Sequence, residues 1–171
     1  IGIEKKFNNW DKVSEFDFRL SAVTANAPMP AGVENDGTKI IHATKAADTA
    51  TFGSIAYEAA GEYEYRVEEI IPTTRVEGVT YDETKYLVKV KVDANADGTK
   101  TISVSKKEDK DGAVYAATTS PVQIKFTNSY AENGSAEIGI EKKFNNWDKV
   151  SAFDFRLSDD QIGRASCRER V

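Results

Sequence analysis

Cysteine is almost missing from the chain. Cys167 is the sole one among 171 residues, and it sits in a terminal stretch unlike everything before it. Disulfide staples, thiolate nucleophiles and cysteine-held metals are therefore excluded for the rest of the chain. Histidine is as scarce: His42 has no Cys, His or acidic spacing around it in sequence that suggests a metal or a catalytic triad, so it reads as a core or surface residue. A basic excess is missing too. Against 28 Asp and Glu stand 23 Lys and Arg, a net charge of −5, which gives no general attraction to nucleic acid or to an anionic membrane. No apolar run approaches the roughly 20 residues that a membrane-crossing helix needs. The first residue is Ile1, with neither an initiator methionine nor a signal peptide, so the expectation is a piece of a longer protein.

What is present is a repeat. IGIEKKFNNWDKVSEFDFRLS at 1–21 returns as IGIEKKFNNWDKVSAFDFRLS at 138–158, and only Glu15 differs, replaced by Ala152. A near-copy of that length implies a tandem array of similar units, the second of them cut short. The final IGRASCRERV brings three arginines and the cysteine together and resembles the translation of a sequencing adapter, so 161–171 are expected to be non-native. The organisation expected is a unit at 1–130, a polar linker AENGSAE at 131–137, and the opening strands of a second unit at 138–160.

Within the first unit nearly every segment alternates apolar and polar residues, the period of a half-buried strand. Ile1, Ile3 and Phe7 alternate with Gly2, Glu4 and Lys6, and Phe16, Phe18 and Leu20 alternate with Asp17 and Arg19. A loop, TANAPMPAGVENDGT, precedes KIIHA and TFGSIAY; the Ala-rich 44–60 has some helical propensity, which Gly53 and its β-branched neighbours weaken. GEYEYRVEEI is a strand, and YLVKVKVDANADGTKTISVSK is a hairpin turning at Asp97 and Gly98. Pro121 opens the last strand, where a missing N–H is tolerated. NADG and KEDKDG match no calcium loop and read as turns. Roughly eight such strands predict an all-β, antiparallel, Ig-like sandwich. Trp10 and Trp147 follow the first strand of each copy and are expected to cap a sandwich end.

Three residues break the alternation. Lys5 shares a parity with Ile1, Ile3 and Phe7; Glu69 shares one with Tyr63, Tyr65 and Val67; Asn128 shares one with Val122, Ile124, Phe126 and Tyr130. Side chains of one parity share a face, so an amine, a carboxylic acid and a carboxamide are expected to point inward. Lys6 and Glu68, of opposite parity, are expected to face solvent. Two outcomes stay open on parity alone. One is a buried Lys5–Glu69 ion pair with Asn128 hydrogen-bonded beside it. The other is chemistry: burial drives amine and acid toward their neutral forms, the amine attacks the carboxamide while the acid polarises its oxygen and shuttles protons, and an amide forms between side chains with loss of ammonia.

The motifs IEKKF, EFDFRL, FGSI, GEYEYRVEE, GVTYD, YLVKVKV with DG, and IKFTNSY occur in an order that resembles the FctA-type pilin repeat of Gram-positive surface proteins, a relative of the Cna B-type domain. The resemblance covers 1–130. It implies a Lys on the first strand joined to an Asn on the last, with a Glu on a central strand as catalyst: Lys5, Asn128 and Glu69. It implies secretion, attachment to a cell wall, neighbouring repeats as partners, no cofactor and no metal, and no turnover of an external substrate. Lys142 is the second copy's equivalent of Lys5 and is expected to remain an ordinary lysine. The expected role is a stalk or shaft unit of an adhesin or pilus; a module binding carbohydrate or host protein through the loops near Trp10 and 24–38 is the alternative.

Overall fold

The computed structural model describes residues 1–132, 134 and 137–157, together with the backbone of 166–169. It divides into two compact units, Ile1–Asn133 and Gly134–Val171. Ten strands build the first: β1 (Gly2–Phe7), β2 (Glu15–Ala22), β3 (Lys39–Thr44), β4 (Thr49–Thr51), β5 (Gly61–Ile70), β6 (Val79–Thr80), β7 (Lys85–Ala94), β8 (Lys100–Glu108), β9 (Ala116–Thr118) and β10 (Gln123–Tyr130). They form two sheets, ordered β4-β1-β10-β6 and β3-β2-β5-β7-β8-β9. No helix occurs among the described residues, and none is therefore long and apolar enough to cross a membrane.

The alternation explains which faces meet. Ile3, Phe7, Ile124 and Phe126 of the smaller sheet join Phe16, Phe18, Leu20, Tyr65, Val67 and Val88 of the larger in one buried core. Ring contacts cross between the sheets: Phe7 to Phe16 and Phe18 to Phe126, each with centroids 5.0 Å apart. The fold is thus the expected all-β sandwich, and every pairing in this unit is antiparallel except one. β1 and β10 run parallel, with Ile3 opposite Ile124, Lys5 opposite Phe126 and Phe7 opposite Asn128. The first and last strands of the unit are hydrogen-bonded neighbours. Asn8 extends that pairing past the end of β1, because its side chain both donates to the Tyr130 carbonyl (2.9 Å) and accepts from the Tyr130 N–H (2.7 Å).

The structure departs from expectation around 49–57. Only the three-residue β4 forms there, and TFGSIAY is not a strand beyond Thr51. Phe52 is buried, and Gly53 adopts φ +99°, a conformation side-chain-bearing residues avoid, so the chain leaves the sheet immediately after its anchor. The β7–β8 hairpin turns as expected through Asn95–Thr99, with Gly98 at φ +83°.

In the second unit β11 (Phe153–Arg156) pairs antiparallel with β12 (Ser166–Glu169). The remainder of the tail expected to be non-native, 161–165 and 170–171, lies outside the described residues, as do 158–160 at the end of the expected second repeat.

Candidate functional site

β1, β5 and β10 each carry one of the three inward polar residues. Lys5, Glu69 and Asn128 are the buried polar or charged residues of the described chain, at 0%, 6% and 2% exposure. The structure brings them together. Lys5 Nζ lies 2.5 Å from Glu69 Oε2, and Asn128 Nδ2 donates to Glu69 Oε1 at 2.6 Å. One carboxyl group therefore touches both the amine and the carboxamide. Topology explains the meeting: parallel pairing sets Asn128 one same-face position beyond Phe126, the register partner of Lys5, while β5 reaches in from the opposite sheet with Glu69 beside Phe18.

The surroundings are aromatic. Lys5 Nζ sits 4.5 Å from the Phe16 ring centroid and 5.7 Å from that of Phe18. Burial lowers the Lys5 ammonium from the ordinary lysine range, against the opposing pull of Glu69. Burial also raises the Glu69 carboxyl, against hydrogen bonds from Lys5 and Asn128. Both directions favour a neutral amine beside a neutral acid. No buried side-chain nitrogen or oxygen lacks a partner among the described residues, so the cluster is fully satisfied despite its burial.

The carboxamide is held differently from the expectation. The backbone N–H of Asp82 donates to Asn128 Oδ1 at 2.7 Å. A backbone N–H can only donate, so the atom it faces is the carbonyl oxygen, and the amide nitrogen is turned toward Glu69. Glu69 therefore contacts the nitrogen that would leave, and the expected contact of the acid with the oxygen is replaced by Asp82. Sequence reasoning missed this residue. Its local signals are its place at the end of the GVTYD motif and an Asx turn, Asp82 Oδ1 accepting from Thr84 N–H at 3.0 Å; Asp36–Thr38 and Asp97–Thr99 make the same turn, so the turn does not mark a site residue.

The neighbours divide as parity requires. Lys6 is exposed and pairs with Glu4 and Asp48. Glu68 points outward from the core but is not solvent-facing in the simple sense: its side chain is 13% exposed, covered by Arg19 and Lys85. Trp10 packs its ring against Phe7 and Phe16, as a cap does. His42 has acidic company that its sequence spacing hid, because β2 and β3 pair across: Nδ1 lies 2.6 Å from Asp17 Oδ1 and 3.7 Å from Glu15 Oε1. The Asp17 hydrogen bond raises the His42 pKa above its ordinary value. This cluster is on the exposed outer face, remote in character from the dry triad.

Residues 1–131 match the family of Spy0128-like isopeptide containing domains, FctA. The chain belongs to the FctA family. Among solved structures, this FctA domain is similar to the T-13 major pilin of Streptococcus pyogenes at 20% identity, covering 76% of this chain and 51% of that one, with TM-score 0.44. A second major pilin of Streptococcus pyogenes matches at 21% identity, covering 76% of this chain and 49% of that one, with TM-score 0.42. The chain spans about half the length of these pilins. No curated protein matches it.

Proposed function

We propose that residues 1–131 are a self-crosslinking load-bearing unit of a cell-surface shaft, closed by an amide between Lys5 Nζ and the Asn128 side-chain carbon. The observation that carries the reading is the position of Glu69, one carboxyl in contact with both the nucleophile and the leaving nitrogen inside a dry core. Starting from the neutral pair that burial favours, the amine attacks the carboxamide carbon. Glu69 gives its proton to the departing nitrogen and takes one from the attacking nitrogen. The C–N bond to ammonia breaks, and Glu69 ends as it began. Fixed proximity supplies the acceleration that amide aminolysis in water lacks. The event is single and internal, so the domain is not an enzyme in the turnover sense.

Function follows from topology. β1 and β10 are the first and last strands, so tension along a tandem array enters through one and leaves through the other. A covalent link between them diverts force from the hydrogen-bonded interior. Tandem copies suggest a multi-repeat adhesin stalk or a pilus shaft, extracellular and anchored to a Gram-positive wall, with neighbouring repeats as its partners. The carbohydrate- or protein-binding alternative loses its main support because Trp10 is committed to the core edge.

A plain buried ion pair would share this geometry, and digestion separates the two. The crosslinked protein yields a branched peptide containing Lys5 and Asn128. Recovery of those two peptides only in unlinked form would sink the reading.

A further inference from the structure

The three reacting side chains do not by themselves fix which end of the Asn128 carboxamide faces Glu69. With the amide turned over, Glu69 would face the oxygen and the nitrogen would point at a backbone donor, where it could not leave with a proton from the acid. We infer that Asp82 is a fourth functional residue, its backbone N–H stabilising the oxyanion of the crosslinking reaction and its carboxylate positioning that N–H. The inference rests on the proposed crosslink and deepens it.

The geometry is specific. Asp82 N–H reaches Asn128 Oδ1 at 2.7 Å. The Asp82 carboxylate then ties down both sides of this contact: Oδ2 accepts from Thr127 N–H at 2.8 Å, on β10 immediately before Asn128, and Oδ1 accepts from Thr84 N–H at 3.0 Å in its own loop. One residue thus clamps the loop to the strand and aims its own N–H at the electrophile's oxygen. When the Lys5 amine attacks, the carbonyl π pair moves onto Oδ1, where a preorganised donor is already waiting. On collapse that pair returns to rebuild the C=O as ammonia departs protonated by Glu69. The same hydrogen bond draws electron density from the carbonyl before attack.

Asp82 also bears on the two titrating groups. Its charge raises the pKa of Glu69 and opposes the burial-driven lowering at Lys5. The first effect is a small addition to the burial that raises the acid. The second works against a neutral amine, so the clamp, rather than the charge, is the benefit of having Asp here.

The test follows ammonia loss by intact mass at timed intervals after cell-free synthesis, for wild type, Asp82→Asn and Asp82→Ala. Asp82→Asn keeps one acceptor oxygen of the clamp and Asp82→Ala keeps none. Graded slowing is expected, with Asp82→Ala about tenfold or more slower than wild type and Asp82→Asn between them. Protease resistance of each variant reads folding separately. Crosslinking of both variants at the wild-type rate overturns the inference while leaving the crosslink itself intact. A wild-type chain that never loses ammonia overturns both. A second measurement does not depend on the Asp82 variants folding: in Glu69→Ala, which retains the uncrosslinked amide and whose fold is read by protection of the β5 and β7 amides, Asp82 N–H is expected to be protected from hydrogen exchange by Asn128. Exchange at the rate of an exposed loop amide overturns the inference.

Discussion

The two copies of the opening segment, 1–21 and 138–158, differ at one residue, yet the described residues of the second copy, 138–157, differ in structure from their counterparts. Some features are shared almost atom for atom. The turn after the first strand recurs, closed by Lys12 N–H to Asn9 carbonyl at 3.1 Å and by Lys149 N–H to Asn146 carbonyl at 3.2 Å. The aromatic triad recurs: Phe7, Trp10 and Phe16 have centroid separations of 5.0 to 5.8 Å, and Phe144, Trp147 and Phe153 of 5.2 to 5.8 Å. Even the lysine stands over the same ring, 4.5 Å for Lys5 on Phe16 and 4.3 Å for Lys142 on Phe153.

Other features are not shared. Residues 2–7 are a strand and 139–144 are not. Ile3 is fully buried whereas Ile140 is 55% exposed. Lys5 is buried and Lys142 is exposed. The difference teaches which features are local. Turn and aromatic triad are encoded within the segment from Phe7 to Phe16, but a strand needs a partner's N–H and C=O groups. β1 obtains them from β4 and from β10, whose register partners lie 121 positions away in sequence. The place of the lysine over its ring is thus set locally, whereas the burial of Lys5 comes from distant strands.

Substitutions made in matched pairs sharpen this contrast. The largest effect is expected at the lysines. Lys5→Ala removes the proposed link, worth roughly 4 to 5 kcal/mol by the loop-entropy argument used for disulfides. Lys142→Ala should change stability by less than about 0.5 kcal/mol. Denaturant midpoints of the first unit measure both, and equal effects would break the comparison. Next come the isoleucines: Ile3→Ala should cost about 3 kcal/mol as a core cavity, while Ile140→Ala should be near neutral. Trp10→Ala should cost about 2 kcal/mol, since Trp10 is only partly buried, and Trp147→Ala, half exposed, clearly less.

The smallest effect is at the one position where the copies differ. Glu15→Ala makes them identical and should move stability by less than about 0.5 kcal/mol. It should also lower the His42 pKa slightly while leaving it raised, since the Asp17 hydrogen bond is the larger cause. The sign follows from linkage. A raised histidine pKa contributes stability that is fully present below the unfolded pKa and is lost as pH rises through the folded one. Exposure keeps the contribution small. An NMR titration of the His42 ring reads the shift, and an unchanged pKa would show that Glu15 does not act on it.

The inward residues were legible because β1, β5 and β10 each bury one face, so a period of two converts parity directly into orientation. The family's motif order named the same three residues. What alternation does not encode is a strand's partner or its direction, and the parallel β1–β10 pair was invisible for that reason. TFGSIAY misled because Phe52 anchors in the core without belonging to a sheet. The acidic neighbours of His42 were hidden by cross-strand pairing. Asp82 escaped because its contribution to Asn128 is a backbone N–H, which every residue but proline has.

Intact mass decides whether the Lys5–Asn128 bond forms. The purified wild-type chain should weigh one ammonia less than its sequence requires, Lys142→Ala should show the same deficit from its own sequence mass, and Glu69→Ala should show none. A wild-type chain at its full sequence mass would contradict the crosslink.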